Sequence, residues 1–267
     1  IRREEEMNFT DIKISKAIID DYFRKLTSSL ELDVAIVGAG PAGLTAGYFI
    51  AKQGYRVSLF ERKLSAGGGM WGGGMMFNTI VVGKGANDIL DEFGIRYRRT
   101  EDSLYIADAV ESVGALIYRS TQAGLRIFNL ITVEDLLVKD GKVEGLVINW
   151  SPVEMASLHI DPLTVQSRYS VDATGHPLEV VRTLCKKSGV QLFTETGDVL
   201  GERSMCADEG EKFVLEKTGE VAPNMFVAGM AACAAFGGPR MGPIFGGMLL
   251  SGKKVADIIT KRLKEKK

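Results

Sequence analysis

Apolar positions along this chain alternate between a helical period and short continuous runs, with glycine-rich breaks between them. Ile14, Ala17, Ile18, Tyr22 and Leu26 recur at helical spacing, which predicts an amphipathic helix over residues 12–30 packed on a core. Val34 to Val37 is an unbroken apolar run, as expected of a parallel strand covered on both faces. It feeds Gly38-Ala39-Gly40-Pro41-Ala42-Gly43, a helix-length segment to Gln53, a stop at Gly54, and a second strand from Val57 to Phe60 ending on Glu61. Residues 83–93 and 102–122 carry helical periodicity. Leu125 to Val138 is strand-rich, and Asp140-Gly141 makes a hairpin turn into Lys142 to Trp150. Val165 to Ala173 reads as another strand, and Pro177 opens a helix through Lys187 that Gly189 closes. Residues 195–221 read as polar and irregular, Asn224 to Gly229 as a final strand, and a last helix as starting near Pro243.

Strand, glycine turn, helix and strand in this order form a unit whose glycines have separate tasks. Gly38 permits the tight turn, Gly40 lets backbone approach a pyrophosphate, and Gly43 lets the helix pack closely. The helix N-terminus offers free N–H groups and a positive dipole end to phosphate. Glu61 follows Gly43 by 18 residues, near the ~20 expected for an acid that binds a ribose hydroxyl. The expected class is α/β, an FAD/NAD-binding Rossmann-like fold. One domain over 1–267 is expected, with its N-terminal helix within 1–30 and a β-meander inserted at about 125–170.

Composition removes several alternatives. The chain has 267 residues, 45% hydrophobic and 25% charged, enough for a core without disulfide or metal staples. A net charge of −1 supplies no basic field for nucleic acid or acidic membrane. Cys185, Cys206 and Cys233 are too scattered for a disulfide framework or zinc ribbon and suit a reducing cytosol. No signal-peptide pattern precedes the first helix, and the longest apolar stretch, Met225 to Phe236, is short for a membrane span. A cytoplasmic location is expected. Residues 1–6 lie ahead of Met7, a candidate natural start, and read as an extension.

Candidate chemistry is concentrated in loops. The segment from Ser65 to Met76, with six glycines interleaved with Trp71 and methionines, suits neither helix nor regular strand, and suits backbone closing over a flat or phosphorylated ligand. Only two histidines occur, in His159-Ile160-Asp161-Pro162 and Thr174-Gly175-His176-Pro177. A lone loop histidine is more often structural. Imidazole and carboxylate together suit iron(II) or another first-row divalent ion, with further ligands from substrate, water or a neighbouring subunit. Arg240, in a glycine-rich loop before the last helix, can pair with a small carboxylate or serve as a surface ion pair. No GxSxG elbow and no GxxxxGK[ST] loop occurs.

Taken together, GAGPAG, FER, GGGMWGGGMM, LHIDP, VDATGHP and RMGPIFGGMLLSGKKVA resemble the thiamine thiazole synthases of the archaeal, sulfide-dependent type. The resemblance runs from about Asn8 to Lys261; GAGPAG is shared with flavoproteins, whereas the glycine-loop and RMGP segments are particular to the family. It implies a glutathione-reductase-type fold with NAD as a consumed substrate. Such enzymes build an adenylated thiazole carboxylate from NAD, glycine and a sulfur source. By motif, Gly38, Gly40, Ala42 and Gly43 would hold the pyrophosphate and Glu61 the adenosine ribose, with Arg62, Gly69, Val133 and Met230 completing the cradle. Asp161 and His176 match iron(II) ligands placed between adjacent subunits of ring-like assemblies, often homo-octamers. Arg240 matches the residue that binds the glycine carboxylate. His159 stands where fungal and plant members carry a sulfur-donating cysteine. An imidazole has no sulfur to give, so free sulfide and repeated turnover are implied, with His159 a candidate proton shuttle. The implied route is loss of nicotinamide, imine formation between the ribose aldehyde and glycine, rearrangement to a ketone, sulfide addition and dehydration to the ring. Other readings of the βαβ unit are an FAD-dependent oxidoreductase, a non-catalytic NAD sensor, and a ribose-phosphate isomerase; the chain offers the first neither a clear second nucleotide motif nor a redox CxxC.

Overall fold

A computed structural model of the chain describes residues 9–265. Met7 and the six residues ahead of it lie outside that range. Thr10 caps the first helix, its hydroxyl accepting the Lys13 N–H at 3.3 Å. The chain then runs α1 (Asp11–Thr27), β1 (Glu31–Val37), α2 (Pro41–Ala51) and β2 (Val57–Glu61), followed by short 3₁₀ turns at Gly68–Gly72 and Gly74–Met76. Next come β3 (Thr79–Val82), α3 (Asn87–Phe93), β4 (Tyr97–Arg99), β5 (Tyr105–Asp108) and α4 (Ala109–Gln122). β6 (Arg126–Asn129), β7 (Ile131–Lys139), β8 (Lys142–Trp150), α5 (Ser151–Met155), β9 (Leu163–Asp172) and α6 (Glu179–Ser188) follow. The chain closes with α7 (Ala207–Lys217), β10 (Gly219–Ala222), β11 (Met225–Val227), α8 (Met230–Phe236) and α9 (Gly246–Glu265).

The main sheet has the order β10-β11-β9-β1-β2-β6, parallel throughout except for β10. The apolar run in β1 is explained by its two covered faces. Val34 and Ile36 join the core beneath α2, α4 and α9, whereas Ala35 and Val37 join a second core with α6, α8 and the meander. The meander is β7-β8-β9, antiparallel, turned at Asp140 (φ 50°) and Gly141 (φ 72°). It is continuous with the main sheet. Leu163 to Gln166 of β9 pair with β8, and Gln166 to Asp172 pair with β1.

The structure departs from the sequence expectations in several places. Only Leu26 of α1 is buried, so its apolar face is not core packing within one chain; Ile18 is 65% exposed. Its last turns alone touch the sheet, where Tyr22 meets Phe128 edge-on and Lys25 Nζ donates to the Ile127 carbonyl at 2.6 Å. Residues 105–108 form a strand rather than the start of a helix, because Asp108 caps α4 by accepting the Glu111 N–H at 2.7 Å. A separate sheet, β3-β5-β4, results. The segment 195–221 is ordered into α7 and β10; α7 buries only Gly210 and Val214, too thin a stripe to stand out in the pattern. The apolar stretch 225–236 is a strand and a helix joined at Gly229 (φ 66°). α6 begins at Glu179, after Leu178 in the left-handed region, and α9 begins at Gly246.

Candidate active site

The parallel strands β1, β2, β9 and β11 all end at one crevice, where a doubly wound sheet offers its ligand site. A cavity of about 550 Å³ opens there, reached by Val37, Glu61, Ala173 and Ala228 from the strand ends. The glycine turn lines it. Gly38 has φ +98°, and a Cβ there would stand 2.5 Å from the Ala173 carbonyl oxygen. Gly43 faces the Gly38 carbonyl so closely that any Cβ would collide with it. Gly40 differs: it caps α2 without a side-chain bond, and a Cβ there would meet nothing within 4 Å. Gly40 and Ala42 line the cavity, whereas Gly43 holds the turn from behind. The first-turn N–H groups of α2 are thus left for an anion.

Glu61 is buried at the cavity edge. Its carboxylate accepts Ala39 N–H and Lys63 N–H, both at 2.8 Å, fixing the turn, and each oxygen keeps a lone pair for a hydroxyl. Arg62 pairs with Glu179 at 2.5 Å, a residue that sequence reading did not single out. Burial raises the Glu179 carboxyl, and Arg62 opposes that shift. Gly69, Val133 and Met230 also line the cavity. The glycine-rich segment forms one wall: Gly67 donates to the Ala39 carbonyl at 2.7 Å, and Gly68 lies against Gly40. It is built from 3₁₀ turns, with Met70 buried and Met75, Met76 and Phe77 exposed.

His176 and Arg240 line the same cavity. The loop bearing His176 is anchored by Asp172, which is fully buried. One Asp172 oxygen accepts Thr174 N–H (2.9 Å) and Oγ1–H (2.6 Å); the other accepts Val180 and Val181 N–H, both at 3.0 Å. Burial raises this carboxyl above the usual range, and the four donors oppose the shift. His159 and Asp161 are not with them. Both are exposed on the loop after α5, outside the cavity lining, where buried Asn149 holds the Ile160 carbonyl at 3.1 Å.

The donor chemistry suits a first-row divalent ion: His176 Nδ1 lies 2.7 Å from a Glu202 carboxylate oxygen, so a neutral imidazole there would present Nε2 as its lone-pair nitrogen. Among the described residues no three His, Cys, Asp or Glu side chains gather to hold a metal. None of the three cysteines lines the cavity. Cys233 is buried, and its thiol is pushed up to about 12.

The family model matching this chain is described as the Thi4 family and spans residues 15–245. The chain belongs to the Thi4 family. The thiamine thiazole synthase of Methanothermobacter thermautotrophicus is 56% identical over 258 residues, 97% of this chain and 100% of that protein. That of Pyrococcus furiosus is 53% identical over 253 residues, 95% of this chain and 98% of that protein. The crystal structure of Thermovibrio ammonificans THI4 is similar at 51% identity with a TM-score of 0.95, covering 96% of this chain and 100% of that one. This Thi4 chain therefore shares the relatives' fold along nearly its whole length. No helix among its described residues is long and apolar enough to cross a membrane.

Proposed function

We propose that this Thi4 chain is a thiamine thiazole synthase that builds an adenylated thiazole carboxylate from NAD, glycine and free sulfide, releasing nicotinamide in the cytoplasm. The observation that carries this reading is one cavity joining the Gly38–Gly43 turn to His176 and Arg240. The α2 N-terminus receives the pyrophosphate, and Glu61 receives the hydroxyls of the adenosine ribose. Arg62, Gly69, Val133 and Met230 line the same cavity, which supports assigning them to the adenosine half. The second ribose is thereby directed towards His176. Arg240 binds the glycine carboxylate through a guanidinium fork, aiming the amine at the exposed ribose carbon. Met70 and Phe245, both buried in the cavity lining, add apolar surface that limits the water competing with imine formation.

His176 of one subunit and Asp161 of an adjacent one would hold an iron(II) ion, which when bound would supply Lewis acidity and a template for glycine and sulfide. The exposure of Asp161 in a single chain supports that sharing within a homo-oligomer. His159 lies two residues from Asp161 and is its candidate proton shuttle. His159, an imidazole with no sulfur to give, supports free sulfide as the sulfur source. A variant with Cys185, Cys206 and Cys233 all replaced by serine tests this. Incubated anaerobically with NAD, glycine, sulfide and iron(II), it is expected to form the thiazole product, read by mass spectrometry. Product loss in a folded variant that still binds NAD contradicts the sulfur assignment.

A further inference from the structure

Glu202 belongs to a strap that crosses from α6 to α7 and is zipped to the segment bearing Arg240. Leu200 and Gly201 N–H donate to the Ala235 and Ala234 carbonyls at 3.1 and 3.0 Å. Arg203 N–H donates to Gly238 at 2.9 Å, Arg203 Nε to the Gly237 carbonyl at 2.8 Å, and Cys206 N–H to the Arg240 carbonyl at 2.9 Å. Fixed by this ladder, the Glu202 side chain is only 16% exposed, and its oxygens lie 2.7 and 2.9 Å from His176 Nδ1. An ionised carboxylate only accepts, so Nδ1 must donate. In the neutral imidazole the proton is then committed to Nδ1, and Nε2 carries the lone pair.

The geometry points to Glu202 as a positioning residue: it locks His176 in the Nδ1–H tautomer with Nε2 free, and its strap keeps that imidazole in register with Arg240. This rests on the assignment of His176 as a metal ligand, but it also makes a claim about the metal-free protein. Without Glu202 the ring is free to rotate and to place its proton on Nε2, where it blocks coordination. Glutamine keeps a carbonyl acceptor for Nδ1–H; alanine keeps none.

The test uses the full chain labelled with ¹⁵N-histidine, free of metal, in alkaline buffer. With two histidines in the sequence, His159→Asn assigns the spectrum. Wild type and Glu202→Gln are expected to show His176 unprotonated at Nε2, whereas Glu202→Ala shifts towards the Nε2–H form. Cobalt(II), titrated by its visible absorption, is expected to bind about 10–100-fold more weakly to Glu202→Ala, with Glu202→Gln nearer wild type and NAD binding unchanged in both. In a His176→Ala background, Glu202→Ala is expected to cost no further affinity. An unchanged His176 tautomer in the alanine variant overturns the proposal, as does an equal loss in the His176→Ala background. If alanine at 202 prevents folding, a glutamine variant with a scrambled tautomer overturns it equally. Cobalt affinity untouched by His176→Ala instead removes the ligand assignment, leaving the tautomer result to stand on its own.

Discussion

Single atoms decide what the glycines do. Gly40 has an ordinary φ of −74° and open space where a Cβ would point, so Gly40→Ala is expected to unfold within about 0.5 kcal/mol of wild type. The added methyl stands where backbone should meet pyrophosphate. NAD binding, measured by calorimetry, is therefore expected to weaken by at least about tenfold, or ~1.4 kcal/mol. Gly43→Ala should behave oppositely, losing ~1–3 kcal/mol of stability because the Cβ collides with the Gly38 carbonyl. Equal effects of the two in denaturant melts and in binding would contradict the separate roles. Asp172 makes a second case. Asp172→Asn turns an amide donor towards groups that already donate, leaving buried N–H groups unpaired. Each orphaned donor costs ~1–3 kcal/mol. A midpoint in urea unchanged from wild type would show that the Asp172 bonds do not hold the His176 loop.

At the scale of elements, the βαβ unit was legible because its strands are buried on both faces and its turn leaves no room for a Cβ at Gly38 or Gly43. The β7-β8 hairpin was legible for a similar reason, since Asp140 and Gly141 both take the positive φ its turn requires. Elements whose partners lie far off in sequence were not. α7 shows a polar surface and a stripe reduced to Gly210 and Val214, and the strap before it has no period at all. Glu202 therefore gave no signal, although it touches one of the two histidines that reading had singled out. Glu179 was hidden likewise; only folding brings α6 against the residue following β2, where Arg62 meets it. The face of α1 misled in the other direction. A helical stripe reports that a surface is apolar, and says nothing about which chain covers it.

The whole molecule leaves large apolar side chains uncovered, among them Ile12, Ile18 and Phe23 on α1, Met76 at 86% exposure, and Leu158 and Ile160 beside His159 and Asp161. Exposed apolar surface is a common feature of protein–protein contacts. It accords with the proposed sharing of iron between subunits. Mixing makes that sharing testable: Asp161→Ala and His176→Ala proteins, each inactive alone, are expected to regain product formation when their subunits are exchanged into mixed assemblies. No recovery despite verified exchange, by native mass spectrometry, would place both ligands in one chain.

The central claim concerns what the dinucleotide turn is for, since the same turn can hold a redox cofactor or a molecule that is consumed. The most direct measurement counts product per subunit during anaerobic incubation with NAD, glycine and iron(II), with and without sulfide. The account predicts more than one adenylated thiazole carboxylate per subunit with sulfide, matched by nicotinamide released, and none without it. No thiazole with sulfide present, from folded protein that binds NAD, would contradict it.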